Sequence, residues 1–232
     1  MSPRALLVLR AEPGASATAQ RARGLGLAAR LYPLFAVEPL VWAAPDPAEF
    51  DALMLTSAHT LREAGPQLER FRHLPAGCVG EATARAARAA GFAPLTSPGG
   101  TAQALVDALA RAGHRRLFHP GGADRRPYAP PEGLSVRTAA VYRAAEAGDA
   151  AGLAAHLADA PLLLVHSPRA GARLAALVPP ERRAHLPLVA LSPAARDAAG
   201  PGWKRADAAA TPTDAAMLAL ARQICHSPPP TP

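Results

Sequence analysis

Serine and threonine residues recur in this chain where an apolar, strand-like run gives way to a helical stretch. Ser57, Ser167 and Ser192 each follow such a run, and Thr213 begins the last helical stretch. A helix N-terminus presents unpaired N–H groups and a partial positive charge, so it accepts carboxylates or phosphates with little help from side chains. The pattern therefore predicts a site for a ligand that carries many anionic groups.

The same residues also have a purely structural explanation. Serine and threonine are preferred helix N-caps, and proline is preferred in the first helical turn, as in Ser167-Pro168 and Ser192-Pro193. Taken singly, each hydroxyl is better explained as a cap than as a ligand contact. The two roles can coexist, because a capped helix retains other free N–H groups.

Two arginine-bearing positions could also contact an anion. Arg10 ends the first predicted strand, and we favour a substrate contact for it over a surface charge. The segment from Gly121 to Arg126 follows another strand and could bring arginines to an anion, although a solvated turn explains it equally well. His119 and His166 also end strands, but a hydrogen-bonded structural role is the better explanation for both histidines.

Tyr142 is a candidate proton donor. It follows the strand-like run 136–141 and is one of three tyrosines in the chain. A phenol with a pKa near 10 stays protonated at neutral pH and can donate its proton. The alternative is a strand tyrosine that packs its ring and leaves its hydroxyl in water.

Composition excludes several classes of protein. The chain has 232 residues and a net charge of +7, which favours anionic partners, although the presence of a single lysine among 25 basic residues indicates compositional bias. Cys78 and Cys225 form no C-x-x-C pair, so neither a disulfide scaffold nor a metal site is expected. No apolar run approaches the ~20 residues of a membrane span, and no signal peptide is evident. We expect a soluble, cytoplasmic protein.

Strand-like runs alternate with helical stretches along the chain, which predicts an α/β fold with parallel sheets. The G-x-G-x-x-A match at Gly24 ends a helical stretch instead of following a strand, so it is no dinucleotide fingerprint. An ordered series of similar segments recurs at offsets of 110 to 112 residues, for example Ser57 with Ser167. Two similar lobes are therefore expected, with a cleft for the anionic ligand, and the proline-rich tail 227–232 is expected to be disordered.

Taken in order, these motifs resemble those of the uroporphyrinogen-III synthase family. The matching segments are Leu9-Arg10 with the helix after it, Phe50 to Ser57, Val79 to Ala84, Gly121 to Arg125, Val141 to Ala144, Leu164 to Arg169 and Thr211 to Thr213. Each motif has low specificity alone, but the ordered series covers nearly the whole chain apart from the tail.

The resemblance implies two Rossmann-like lobes, each with a doubly wound parallel sheet of the flavodoxin type, joined by a two-stranded linker. The first lobe would be discontinuous and combine residues 1–36 with 147–226, while the second would span 40–138. The linker strands would lie near 35–39 and 138–143.

The resemblance also implies an activity. Members of the family are cofactor-free lyases that convert hydroxymethylbilane to uroporphyrinogen III in heme biosynthesis, with inversion of ring D and loss of water. The implied partner is this small linear tetrapyrrole, which the enzyme that forms it could hand over; neither nucleic acid nor membrane is implied, and a monomer is expected. The eight carboxylates of the substrate agree with the anion site inferred from the helix N-termini.

By resemblance, Tyr142 is the acid that assists departure of the hydroxyl group. Substrate-binding roles are implied for Arg10, Ser57, Thr83, Ser167 and Thr213, and we add Gly121 and Ser192 as candidates from their places after strands. The segment Ser192-Pro193-Ala194-Ala195 lacks a threonine that some members carry, so Ala195 is left out.

Two other functions remain open at this point. One is a non-catalytic bilobal module that binds a polyanionic small molecule, and the other is a phosphate- or nucleotide-binding transferase, which is favoured by fold alone. Formation of the type III isomer from hydroxymethylbilane would separate the synthase from both.

Overall fold

The computed structural model of the protein describes residues 4–96, 100–125 and 127–226. The predicted disordered tail 227–232 and the predicted turn residue Arg126 lie outside the described residues. The chain folds into two compact units, one built from Met1–Ala36 with Glu146–Pro232 and the other from Val37–Ala145.

Strands are distributed along both units. They are β1 (Leu6–Val8), β2 (Ala29–Leu31), β3 (Phe35–Pro39), β4 (Ala52–Leu55), β5 (Pro75–Cys78), β6 (Ala93–Thr96), β7 (Arg116–Gly122), β8 (Ser135–Glu146), β9 (Leu162–Val165), β10 (Pro187–Ala190) and β11 (Arg205–Ala208).

Helices connect most of these strands. They are α1 (Gly14–Gly24), α2 (Ala58–Glu63), α3 (Gly80–Ala89), α4 (Ala102–Arg111), α5 (Ala150–His156), α6 (Pro168–Leu177), α7 (Pro180–Arg183), α8 (Pro193–Ala198) and α9 (Asp214–His226), with short 3-10 helices at Pro47–Glu49 and Pro66–Phe71. Strands that alternate with helices confirm the predicted α/β fold. Among the described residues no helix has both the length and the apolar character that a membrane crossing requires.

The sheet of the first unit has the strand order β11-β10-β9-β1-β2, and each neighbouring pair is parallel. Because side chains alternate between the faces of a strand, Leu7 and Leu163 pack with α5, α6 and α8, whereas Leu6 and Leu164 pack with α1 and α9. Burial on both faces explains why the inner strands are apolar at every position.

The sheet of the second unit has the order β3-β8-β7-β4-β5-β6, and the pairs from β8 to β6 are parallel. Leu53 and Phe118 pack with α3 on one face, and Met54 and Leu117 pack with α4 on the other. The run β4-β5-β6 corresponds to β9-β10-β11, and β7 corresponds to β1. The two strand orders therefore match the repeat predicted from the sequence.

Two predicted details differ from the structure. The apolar segment from Leu31 to Val37 predicts a single strand, but the structure divides it into β2 and β3, because Pro33 has no N–H to donate to a ladder. Tyr142 was expected at the end of a strand but lies inside β8, which continues to Glu146 and has β3 as its hydrogen-bonded neighbour. The segments predicted as linkers, 35–39 and 138–143, thus lie in β3 and β8, and β8 pairs with β7 as far as Tyr142.

Candidate functional site

The hydroxyl side chains predicted at the strand-to-helix junctions cap the helices that follow. Their oxygens accept backbone N–H groups at 3.2 to 3.3 Å: Ser57 from His59, Ser167 from Ala170, Ser192 from Ala195 and Thr213 from Ala216. The structural interpretation of these residues is therefore confirmed. Their contact with a ligand stays a prediction, which the remaining first-turn N–H groups still permit.

Helix α3 begins differently. Its N-cap is Val79, which provides no side-chain acceptor, and its first residue Gly80 has φ of +74°, a left-handed conformation that favours glycine. The predicted substrate residue Thr83 lies one turn further along α3 and is buried, with 4% of its surface exposed. At this helix the backbone N–H groups are thus better placed for an anion than the threonine side chain is.

In the first unit, the carboxyl ends of the strands carry a polar group that we call the Asp214 cluster: Asp214, Arg10, Thr18, Arg21 and His166. Asp214 Oδ2 accepts from Thr18 Oγ1 at 2.8 Å and from Arg21 Nη1. Asp214 Oδ1 accepts from His166 Nε2 at 3.1 Å and from Arg10 Nη1 at 3.5 Å. One carboxylate thus holds side chains from α1 and from the loops after β1 and β9.

The electrostatics of the Asp214 cluster favour a fixed negative charge with a positive surplus around it. Burial raises the pKa of Asp214, but hydrogen bonds from His166, Thr18 and Arg21 outweigh that effect and hold the pKa well below its usual range. The carboxylate is therefore ionised at neutral pH and faces two guanidinium groups. Of its contacts, the one with Arg10 is the longest.

Arg10 lies against the beginning of α1. A Cβ atom on Gly14 would overlap the Arg10 guanidinium, so only a glycine leaves the space that this side chain occupies. About a third of the Arg10 side chain is exposed, at 37%. The predicted substrate contact is thus within reach of solvent while being aligned by Asp214.

In the second unit, a chain of hydrogen bonds near the carboxyl end of β4 links Thr56, His119 of β7 and Tyr128, and we call it the His119 chain. His119 Nε2 lies 3.1 Å from Thr56 Oγ1, and Nδ1 lies 2.7 Å from the Tyr128 hydroxyl. Burial, with a smaller effect from Arg125, lowers the pKa of His119 to about 4. The imidazole is therefore neutral at pH 7, and the predicted hydrogen-bonded role of His119 is confirmed.

Two glycines at the end of β7 leave room for these aromatic rings. A Cβ atom on Gly121 would lie 3.3 Å from His119 Nε2, and one on Gly122 would lie 2.9 Å from the Tyr142 ring. Gly121, predicted to bind substrate, therefore has a packing role at His119. Arg125 donates to the carbonyl oxygen of Gly122 at 2.9 Å, and its predicted contact with an anion stays a prediction.

Tyr142 lies near the first turn of α2. Its ring centroid is 5.6 Å from that of His59, which is two residues after the cap Ser57. Burial, followed by the charge of Arg62, lowers the pKa of His59. Among the described residues, no partner contacts His59 Nδ1, although this atom is buried. The carboxyl ends of the strands in the second unit, which we call the second edge, thus combine a phenol hydroxyl with a neutral imidazole and a capped helix N-terminus.

Sequence reasoning missed several members of these groups. Asp214 is an acidic residue in the first turn of a helix, which the helix dipole alone explains, so it gives no special signal. Thr18 and Arg21 look like ordinary helix residues, and Tyr128 lies in a proline-rich loop without periodicity. Among residues 4–96, 100–125 and 127–226, no group of three or more His, Cys, Asp or Glu side chains could hold a metal ion.

These features define the class of protein. It is an α/β protein whose polar and cationic residues gather at the carboxyl ends of parallel strands, where ligands of such sheets bind. The family model described as "Uroporphyrinogen-III synthase HemD" matches residues 16–219. The chain belongs to the uroporphyrinogen-III synthase family, an enzyme family of heme biosynthesis, and the family predicted from the sequence is confirmed.

Solved structures of this family are similar in fold. The crystal structure of uroporphyrinogen-III synthetase from Helicobacter pylori 26695 shares 14% identity over 95% of this chain and 99% of that chain, with a TM-score of 0.66. A triple mutant of uroporphyrinogen III synthase from the bacterium Thermus thermophilus shares 17% identity over 95% and 98% of the two chains, with a TM-score of 0.48. The Helicobacter protein has the same fold. No curated protein sequence matches the chain.

Proposed function

We propose that this chain catalyses the uroporphyrinogen-III synthase reaction, in which hydroxymethylbilane is cyclised to uroporphyrinogen III with inversion of ring D and loss of water. The reaction is that of a lyase and needs no cofactor. The observation that carries the proposal is the family match over residues 16–219. The polar groups at the strand ends of both units supply the parts that this chemistry requires.

Binding of the substrate is an electrostatic problem, because it carries eight carboxylates. We assign these to the N-termini of the helices that follow the strands and to Arg10, whose guanidinium is partly exposed. Ser57, Ser167, Ser192 and Thr213 keep those N-termini ordered by capping them. Within the Asp214 cluster, two arginines face one carboxylate, which leaves a positive charge for the ligand.

The chemical step needs one proton and accurate positioning. The terminal hydroxyl leaves with the help of the electron-rich pyrrole and gives an azafulvene, and attack must then occur through a spiro intermediate at ring D. Tyr142 is the proposed general acid, a role implied by the resemblance to the family, and its hydroxyl lies over Gly122 at the end of β7. The remaining acceleration and the choice of isomer come from holding the chain in the reactive geometry.

The two units are proposed to act as Rossmann-like lobes of the flavodoxin type. The order β11-β10-β9-β1-β2, with helices on both faces, supports this assignment for the first lobe, residues 1–36 and 147–226. The second lobe would span 40–138, and β3 and β8 would form the linker around 35–39 and 138–143. We further propose a cytoplasmic monomer that receives its substrate from the bilane-forming enzyme.

The test is incubation of the purified protein with freshly prepared hydroxymethylbilane, followed by separation of the uroporphyrin isomers after oxidation. The type III isomer is expected in excess over the spontaneous product. Type I isomer alone, formed at the rate seen without protein, would contradict the proposal. If such a sample still bound the bilane, a non-catalytic module for a polyanionic small molecule would be the correct function.

A further inference from the structure

The His119 chain, Thr56–His119–Tyr128, contains a buried imidazole whose two nitrogens are both hydrogen-bonded. Only 1% of His119 is exposed, whereas Thr56 and Tyr128 at its two ends are partly exposed. The proposed acid Tyr142 is not part of this chain, so the proposed reaction leaves the arrangement unexplained. A buried polar network of this kind must satisfy each of its donors and acceptors, and this constrains the direction of every hydrogen bond.

The two distances fit one direction of the hydrogen bonds along the chain. A separation of 2.7 Å between Tyr128 and Nδ1 fits an O–H donor, and 3.1 Å between Nε2 and Thr56 Oγ1 fits an N–H donor. In the tautomer that fits both distances, Tyr128 donates to Nδ1, and the Nε2–H group of His119 donates to Thr56. The Thr56 hydroxyl then has its own hydrogen free for a further acceptor. In the opposite tautomer the Thr56 hydroxyl would donate this hydrogen to Nε2 of His119.

The surroundings hold both ends of the chain in this arrangement. The Gln103 side chain of α4 donates to the carbonyl oxygen of Ala129 at 3.0 Å and accepts from the Ala129 N–H at 2.9 Å. This pair of hydrogen bonds clamps the loop beside Tyr128. At the other end, Gly121 leaves the space in which the His119 ring approaches Thr56.

We propose that Tyr128 and His119 are positioning residues that fix the Thr56 hydroxyl as a hydrogen-bond donor to a carboxylate of the substrate. Thr56 directly precedes Ser57, the cap of α2, so it lies at the carboxyl end of β4, on the side of a parallel sheet where ligands bind. The inference rests on the proposed function and adds a named side-chain contact to it. Its effect is on substrate affinity, because the carboxylate is bound before and after the chemical step.

A double-mutant cycle tests the connection between Tyr128 and Thr56. Thr56→Val and Tyr128→Phe are each expected to raise KM about three- to tenfold with kcat unchanged, the range for one neutral hydrogen bond. In the double variant, Tyr128→Phe should add nothing, because no hydroxyl is left to orient. Thr56→Ser retains the donor and should restore KM. Additive effects of Thr56→Val and Tyr128→Phe would overturn the proposal, because a purely structural role of Tyr128 would add to any background.

The matched control is Tyr32→Phe in the first unit, whose hydroxyl bonds the backbone of Asp149 and should leave KM unchanged. A second measurement is independent of activity: ¹⁵N NMR of His119 at pH 7 should show the Nε2–H tautomer. The Nδ1–H tautomer would overturn the proposal even if the wild-type chain produced uroporphyrinogen III. If the chain bound hydroxymethylbilane without turning it over, the proposed function would fail, and the same ratios would be expected in Kd.

Discussion

The carboxyl edges of the two sheets share one backbone arrangement and carry opposite kinds of chemistry. Arg10 after β1 and His119 in β7 occupy corresponding places in the repeat, as do Asp214 and Ala102 at the start of α9 and α4. At the first edge an ionised carboxylate aligns two arginines. At the second edge a neutral histidine is buried between two hydroxyl groups. The comparison shows that repeated topology preserves the positions of side chains and leaves their chemistry free to diverge.

This difference suggests a division of tasks. The charged first edge is suited to attract and hold carboxylates over a distance, whereas the second edge supplies uncharged donors, including the proposed acid Tyr142. Substitutions at the first edge should then act on affinity and its salt dependence. Those at Tyr142 should act on turnover.

The largest expected effect concerns His119 and acid stability. Folding lowers the pKa of His119 from 6.5 to about 4. Between these pH values the unfolded chain binds the proton more tightly, so the free energy of unfolding decreases as the pH is lowered. The contribution is complete above about pH 6.5, and about 3 kcal/mol of it is lost by pH 4. When the free energy of unfolding in urea is measured from pH 7 to pH 4, the slope of its decrease with falling pH should lack this component in His119→Gln. The exposed His185→Gln is the control, and equal slopes for wild type and His119→Gln would contradict the expectation.

Turnover should be most sensitive to Tyr142. Tyr142→Phe removes the proposed acid but keeps the ring over Gly122, so kcat should fall about 100-fold, within the range for general acid catalysis. The measurement is the initial rate of uroporphyrinogen III formation at saturating hydroxymethylbilane. Tyr32→Phe again serves as the control. An unchanged kcat would remove Tyr142 from the acid role and with it the assignment of chemistry to the second edge.

Stability should depend on the carboxylate of the first edge. Asp214→Asn leaves Thr18, Arg21 and His166 without their charged acceptor and should lower the free energy of unfolding by about 2 kcal/mol at pH 7. Asp159→Asn is the control, because its ion pair with Arg30 is exposed and should contribute little. Equal unfolding midpoints for the two variants would show that the Asp214 cluster does not hold the first edge together.

The smallest expected effect is on affinity at Arg10. Arg10→Gln should raise KM about fivefold, because a partly exposed ion pair contributes up to ~1 kcal/mol. The rise of KM with salt should also be less steep than in the wild type, since one screened charge has been removed. Arg116→Gln is the control, because Arg116 lies at the amino end of β7, away from the carboxyl ends of the strands. Equal effects of the two substitutions on KM would mean that the net positive charge of the protein, and not the first edge, attracts the substrate.

The fold was largely predictable because its inner strands leave a clear pattern. β4 and β9 are buried on both faces and therefore appear as short, uninterrupted apolar runs. The edge strands β6 and β11 were missed, since Ala93–Thr96 and Arg205–Ala208 contain partly exposed positions and mixed residue types. The apolar pattern follows from burial, so it fades at the edges of a sheet.

The candidate site was only half predictable, for a different reason. Helix caps such as Ser57 and Ser167 are local, and their residue types could be recognised directly. The Asp214 cluster joins Thr18 to a residue 196 positions later, and this contact exists only because the sheet order places β1 among the later strands. Similarly, Tyr128 reaches His119 from a loop whose path depends on the Gln103 clamp.

The position of β1 also has a consequence for biosynthesis. This strand pairs with β9, so the middle of the first sheet cannot form until Leu162 has been synthesised and can pair with Leu6. Val37–Ala145 has by then left the ribosome entire, and domains generally fold as units during synthesis. The unit that contains the His119 chain is thus the first to be completed on a growing chain, and the Asp214 cluster is assembled last, when α9 delivers Asp214.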